Sequence, residues 1–290
     1  MPITSPLRYP GGKSKAITQI IRHLPAHFTS YREPFVGGGS LFIHLRQQRP
    51  DLDIWINDLN RDLYCFWQCA QTELARLVAE ITRVQHATTD GRALFTKLTT
   101  TTGRLSNFKR AVRFFLMNRI TFSGTVDAGG YSQAAYEKRF TPSSIERLKK
   151  LQPMLEGVKI TNLDYRALLA APGTDVFIFL DPPYLSATKS KLYGRKGALH
   201  TDFDHAAFAA ALQRCPHKWL ITYDDSPEIR RNFAFANIYE WELQYGMNNY
   251  GRSFAPKGKE LFITNYEIDR QRYDSVGAGL VLAHSQNRLR

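Results

Sequence analysis

Short continuous apolar runs alternate along the chain with longer stretches of helical spacing. Residues 14–24, SKAITQIIRHL, put Ala16, Ile17, Ile20, Ile21 and Leu24 on one helical face, and Pro25 closes the run. YREPFVGGGSLFIHLRQQ predicts a short strand, a glycine-rich turn and a helix. DLDIWINDLN predicts a second strand with an acidic residue at its end. Further on, GVKITNLDY, DVFIFLDPPY, HKWLITYDD and ELFITNY each carry a short β-branched or aromatic run. In DVFIFL the apolar positions are continuous, as in a strand buried under helices on both faces. IYEWELQY alternates instead, with Tyr239, Trp241, Leu243 and Tyr245 opposed by Glu240 and Glu242. That predicts one exposed face, close to a sheet edge. The pattern as a whole predicts an α/β fold built on a doubly wound, mostly parallel sheet.

Residues 65–150 break this rhythm, and the chain divides into a sheet-forming part, 1–64 with 151–290, and a helical insert, 65–150. QTELARLVAEITRVQ and NFKRAVRFFLMNRI have helical spacing, and SSIERLKKLQPML follows with a serine as its expected N-cap. Phe114 and Phe115 are expected in the core. Between the last two helices, the glycines of FSGTVDAGGYSQ predict a loop or hairpin.

Charge adds a partner to this picture. Lys plus Arg number 39 against 26 Asp plus Glu, a net +13, and such an excess suits a polyanion as readily as it suits an unspecialised basic enzyme. Its distribution is uneven. From Gly91 to Val126 the chain carries Arg92, Lys97, Arg104, Lys109, Arg110, Arg113 and Arg119 and no acid, which predicts a phosphate-facing surface on the insert. A second polar loop, GMNNYGRSFAPKGK, adds Arg252, Lys257 and Lys259. Three cysteines, Cys65, Cys69 and Cys215, form no disulfide framework, the opening residues hold no apolar signal core, and no stretch approaches a membrane span. A cytoplasmic location without a membrane partner is expected. His23 and His27 are four apart but separated by Pro25, and no metal is required.

Three motifs carry chemistry. YPGGKSK contains Gly-Lys-Ser, but the phosphate-loop pattern needs a glycine where Leu7 stands, so only a tight turn presenting Lys13 remains. In EPFVGGGSLF a strand runs into glycines that let backbone approach a ligand at a helix start. The dinucleotide fingerprint would need glycine at Phe42, which argues against a nicotinamide enzyme. Asp58, 21 residues beyond Gly37, is placed to accept from both hydroxyls of a ribose. DPPY, Asp181 to Tyr184, follows the most apolar strand, at the carboxyl end where open α/β sheets bind ligands. Its two prolines stiffen the turn. A carboxylate, the Pro182 carbonyl and an aromatic ring then project from one point, an arrangement that can grip and stack an amino-purine.

RYPGGK, EPFVGGGSLF, NDLN, NLDY and DPPY, in this order and with the late KELFITNY strand, resemble the Dam-type DNA adenine-N6 methyltransferases over residues ~8–265. The resemblance implies a Rossmann-like methyltransferase fold in which the sheet part is the catalytic domain and the insert recognises the target. It implies S-adenosylmethionine as methyl donor, held by Tyr9, Lys13, the Phe35, Gly37 and Gly39 turn, Asp58, and Asp164 with Tyr165. Catalysis is implied for Asp181, Pro182, Pro183 and Tyr184, with Asp181 between cofactor and base. Asn118, Arg119 and Ser123 are implied at the DNA, with Lys109 and Arg113 on its backbone. Ser123-Gly124 departs from the Asn-Gly of Dam itself, which leaves a GATC target open.

On this reading an adenine is extruded from double-stranded DNA, stacked on Tyr184, and held through its amino group by Asp181 and the Pro182 carbonyl. Cytosine-N4 methylation, an RNA substrate and a non-catalytic DNA-binding subunit stay open as alternatives. A monomer is expected, with a companion restriction endonuclease left open.

Overall fold

The computed structural model describes residues 2–9, 11–101, 103–126, 129–185, 203–243 and 258–268. Within them the apolar runs become seven strands: β1 Ser30–Glu33, β2 Asp53–Asn57, β3 Lys159–Thr161, β4 Val176–Leu180, β5 Lys218–Asp224, β6 Asn237–Leu243 and β7 Gly258–Thr264. They form one sheet in the order β3-β2-β1-β4-β5-β7-β6. β1 pairs in parallel with β2 and β4, β2 with β3, and β4 with β5. β7 alone runs antiparallel, inserted between β5 and β6. As its alternation predicted, β6 is the edge strand.

All five residues of β4 are buried. Phe177 and Phe179 enter the core on one face of the sheet, while Val176, Ile178 and Leu180 enter the core on the other. That two-sided burial is why DVFIFL does not alternate.

Helices cover both faces. α1 Ile17–Arg22 and α2 Ser40–Gln48 flank the first strands, and α3 Arg61–Thr72 begins directly after β2. α4 Leu74–Ala87, α5 Gly91–Thr100, α6 Asn107–Ile120, α7 Gln133–Arg139, α8 Pro142–Lys149 and α9 Gln152–Leu155 precede β3. α10 Tyr165–Ala170, α11 His205–Gln213 and α12 Pro227–Asn232 connect the later strands. Side-chain oxygens of Asn60, Asp90 and Ser106 accept from the first free backbone N–H groups of α3, α5 and α6. α8 starts earlier than its serines predict. Thr141 is its N-cap and Pro142 its first residue, because proline's fixed φ suits that position.

The boundary expected at residue 65 falls inside α3, and one apolar core runs across it. Phe66 and Trp67 of α3 touch Phe114 and Phe115 of α6 on one side and Phe42 of α2 on the other. Gln71 donates to the carbonyls of Leu155 and Val158 at 2.8 and 2.7 Å. The insert is therefore grown onto the sheet's own packing, without a core of its own.

Candidate active site

The carboxyl ends of β1, β2, β3, β4 and β5 converge where the strand order reverses, between β1 and β4, the position at which open α/β sheets bind ligands. β1 leads into Pro34-Phe35-Val36 and the three glycines. Gly37 and Gly39 have φ of +47° and +68°, a region that penalises any Cβ. Space is equally restrictive: a Cβ on Gly37 would lie 2.8 Å from the Tyr9 ring, and one on Gly39 2.3 Å from that of Phe42. The glycines thus bring bare backbone against Tyr9 and α2.

Asp58, at the end of β2, accepts from Gly37 N–H at 3.1 Å and from Asn60 N–H at 2.9 Å, one on each oxygen. Burial pushes its carboxyl up to about 6, against the pull of those two donors. Each oxygen keeps a second lone pair. Beyond it stand Leu59 and, at the end of β3, Leu163, two large apolar side chains that are 55% and 43% exposed. Asn57 donates to the Leu163 carbonyl at 3.0 Å and accepts from its N–H at 2.8 Å, which locks the two strand ends together. Asp164 caps α10 and pairs with Arg166 at 3.3 Å. Tyr165 lies buried beside Phe35, ring centroids 5.7 Å apart. A bare-backbone cradle, a carboxylate with spare acceptors and exposed apolar side chains fit an adenosine moiety. Leu59 and Leu163 escaped the sequence reading, although each is the apolar neighbour of a singled-out aspartate.

Asp181 begins directly after β4. Its Oδ1 takes the Lys13 ammonium at 2.8 Å and the Thr222 hydroxyl at 2.8 Å. No hydrogen bond reaches Oδ2 among the described residues, so that oxygen is the available acceptor. Lys13 is buried against the DPPY residues, its Nζ 4.7 Å from the Tyr184 ring centroid. Tyr184 donates to Glu260 Oε2 at 3.0 Å, and burial raises its phenol well above the usual range. Thr222 and Glu260 are site residues that sequence reasoning missed: they come from β5 and β7, and only strand pairing brings them to β4.

The insert differs most from expectation. Asn118 and Arg119, expected at the DNA, are 0% and 1% exposed. Asn118 accepts from Arg8 N–H at 2.9 Å and donates to the carbonyls of Arg8 and Gly124 at 2.6 and 3.1 Å. Arg119 donates to the Pro6 carbonyl and to Asn118 Oδ1. Burial pulls its pKa down to about 9, helped by Arg8, Arg147 and Arg139 nearby. The pair therefore binds the start of the chain to the hairpin and offers no side chain to a ligand in this structure.

Arg113 and Arg110 are not free cations either. Both bind Asp62 of α3, at 2.9 and 2.6 Å. The sequence window holds no acid, but the neighbouring helix supplies one. Arg92, Lys97, Arg104 and Lys109 remain exposed. The hairpin forms, with Thr121 bridging Tyr131 and Phe122 N–H donating to the Gly130 carbonyl at 3.1 Å. At its turn Ser123 adopts φ +53° and Phe122 is 61% exposed. His23 lies buried with Nδ1 2.8 Å from the Gln19 carbonyl oxygen, a structural role. Cys65 and Cys69 are buried and free. The 246–259 loop lies outside the described residues except for the start of β7.

A seven-stranded, mostly parallel sheet with helices on both faces is the Rossmann-like methyltransferase fold. More narrowly, residues 9–247 match the D12 class N6 adenine-specific DNA methyltransferases, and the chain belongs to that family. It is 25% identical to the DNA adenine methylase of Vibrio cholerae, over 88% of this chain and 95% of that protein. It is also 25% identical to the type II methyltransferase M.MjaIII of Methanocaldococcus jannaschii, over 64% of this chain and 71% of that protein. The DNA N-6-adenine-methyltransferase of Escherichia phage P1 is 28% identical over 77% of this chain, but only 30% of that protein. The protein is a site-specific DNA methyltransferase acting on adenine N6, with S-adenosylmethionine as its methyl donor. No helix among the described residues is long and apolar enough to cross a membrane.

Proposed function

We propose that this chain methylates an adenine turned out of double-stranded DNA, using the corner formed by Asp181, Pro182, Pro183 and Tyr184. One observation carries the assignment: Asp181 stands at the switch point with one oxygen occupied by Lys13 and Thr222, beside Tyr184 and at the end of the strand that pairs with β1, which runs into the glycine turn. Two donors on Oδ1 fix the carboxylate's rotation, so Oδ2 is presented as an acceptor for one amino hydrogen. The Pro182 carbonyl, immobilised by the double proline, would accept the other. Two acceptors on one exocyclic amine draw its lone pair out of conjugation and stabilise positive charge developing on the nitrogen. Tyr184, held by Glu260, gives the extruded base a stacking face that offsets the cost of leaving the duplex. Proline has no side-chain acceptor, so Pro183 acts by stiffening the corner.

S-adenosylmethionine, when bound, supplies an electrophilic methyl group on a sulfonium. Tyr9, Phe35, Gly37, Gly39, Asp58, Asp164 and Tyr165 would hold it, with Leu59 and Leu163 as apolar walls and Lys13 contributing from the catalytic side. On the insert, Lys109 and the other exposed cations serve the phosphate backbone. Phe122 and Ser123 on the hairpin turn face the target, while Asn118 and Arg119 support them from beneath and Arg113 braces α6 against α3. An exposed aromatic on a constrained turn suits insertion between base steps. We read the enzyme as a cytoplasmic monomer, with three free cysteines in keeping with a reducing compartment, and with or without a companion endonuclease.

The test is nucleoside mass spectrometry of duplex DNA incubated with the purified protein and S-adenosylmethionine. N6-methyldeoxyadenosine is expected, and Asp181→Ala is expected to lower turnover by at least ~10²-fold, the scale of losing a charge-stabilising group. Near-normal turnover by that variant would end the assignment.

A further inference from the structure

Glu260 lies on β7, one strand removed from β4, and is 1% exposed. In the sheet it pairs with Asp224 of β5 and Trp241 of β6. Oε2 accepts from the Tyr184 hydroxyl at 3.0 Å, while Oε1 has no partner among the described residues. The charged groups facing it are Lys13 ahead of α1, Asp181 after β4 and Asp224 at the end of β5. A buried carboxylate with one acceptor site unfilled is costly to ionise. Its position next to a buried lysine and the stacking tyrosine needs an explanation that packing alone does not supply.

We propose that Glu260 is a positioning residue for methyl transfer, acting through Tyr184 and Lys13. As a carboxylate it holds the Tyr184 ring against the base and offsets the Lys13 charge, leaving the charge of Asp181 to the target amine. This rests on the functional reading above and deepens it. Lys13 sits 2.8 Å from Asp181, so positive charge developing on the amine must form near an existing cation. In a site of low polarisability that repulsion raises the barrier. A second anion near Lys13 relieves it; a neutral carboxylic acid does not. Burial pushes Glu260 up to about 7, with Lys13 pulling it down and Asp181 and Asp224 pushing it up. Turnover at saturating substrates should then rise as Glu260 ionises, about fivefold from one pH unit below its midpoint to one above if the uncharged form keeps a tenth of the activity.

The decisive comparison is kcat against pH for the wild type, Glu260→Gln and Glu260→Ala on duplex DNA. Gln keeps an acceptor for Tyr184 without the charge. It should lose the limb near neutrality and fall about tenfold in kcat at the alkaline plateau, with KM for DNA unchanged; Ala should fall further. A Gln variant with the wild-type limb and kcat would overturn the proposal. A second measurement does not depend on activity or on the variants of Glu260 folding: a carboxyl carbon NMR titration of Glu260 in the wild type and in Lys13→Met. Losing the cation should move the midpoint upward, and an unmoved midpoint would overturn the proposal. If the wild type leaves DNA unmethylated, the functional reading fails, whereas methylation by a wild type with no Glu260 effect removes only the role of Glu260.

Discussion

Asp181 and Glu33 are two carboxyl groups at adjacent strand ends with opposite surroundings. Asp181 has a lysine and a hydroxyl on one oxygen. Glu33 is 3% exposed, accepts from the Tyr31 hydroxyl at 2.8 Å, and is pushed up to about 8, first by burial and then by Asp181 and Asp58. The sign follows from which state holds the proton. A folded chain that keeps Glu33 protonated until about 8, against an ordinary value of 4.5 when unfolded, gains stability that is complete at low pH and is lost as pH rises through that interval. Thermal unfolding by circular dichroism should therefore show a melting temperature that falls between about pH 5 and pH 8, and Glu33→Gln should flatten that slope. An unchanged slope would place the titration elsewhere. Neither the pairing of Lys13 with Asp181 nor that of Tyr184 with Glu260 was legible in the sequence, because 168 and 76 positions separate the partners. The burial of Arg119 was not legible for a related reason: it depends on the start of the chain, whose Pro6 and Arg8 carbonyls meet Arg119 and Asn118 at the end of α6.

At the scale of elements, the glycine turn was legible because its task is local. A strand must hand over to a helix with no side chain in between, and the sequence writes that as consecutive glycines. Gly39 is the N-cap of α2 in the left-handed region. Gly39→Ala adds backbone strain and drives a methyl group toward the Phe42 and Trp67 rings. It should cost roughly 1–3 kcal/mol in chemical denaturation, and S-adenosylmethionine affinity by calorimetry should fall with it. A variant with wild-type stability and affinity would show that the turn relaxes freely. The strands β4 and β5 were equally readable, since burial on two faces leaves uninterrupted apolar runs. The insertion of β7 between β5 and β6 was not. ELFITNY is as apolar as a parallel central strand, and direction leaves no mark on composition.

For the whole molecule the net charge of +13 is an attractive field for a polyanion, but folding redistributes it. Two insert arginines are tied to Asp62 and a third is buried. On the proposed reading, contact with phosphates falls to exposed residues such as Lys109. Reversing it, Lys109→Glu, should weaken binding to target and non-target duplexes alike and reduce the slope of log Kd against log salt by about 1. Fluorescence anisotropy over a salt series measures this, and a loss confined to one sequence would contradict it.

The strand order has a consequence for how the protein is made. Among the described residues β7 follows every other strand in the chain, yet it lies inside the sheet, and β6 pairs with no other strand. Until synthesis passes residue 264, β5 presents an unpaired, apolar edge, and β6 has nowhere to dock. Until β7 emerges, the nascent enzyme is thus exposed to mispairing with other chains. The same strand delivers Glu260, so the pocket is finished only when that hazard ends.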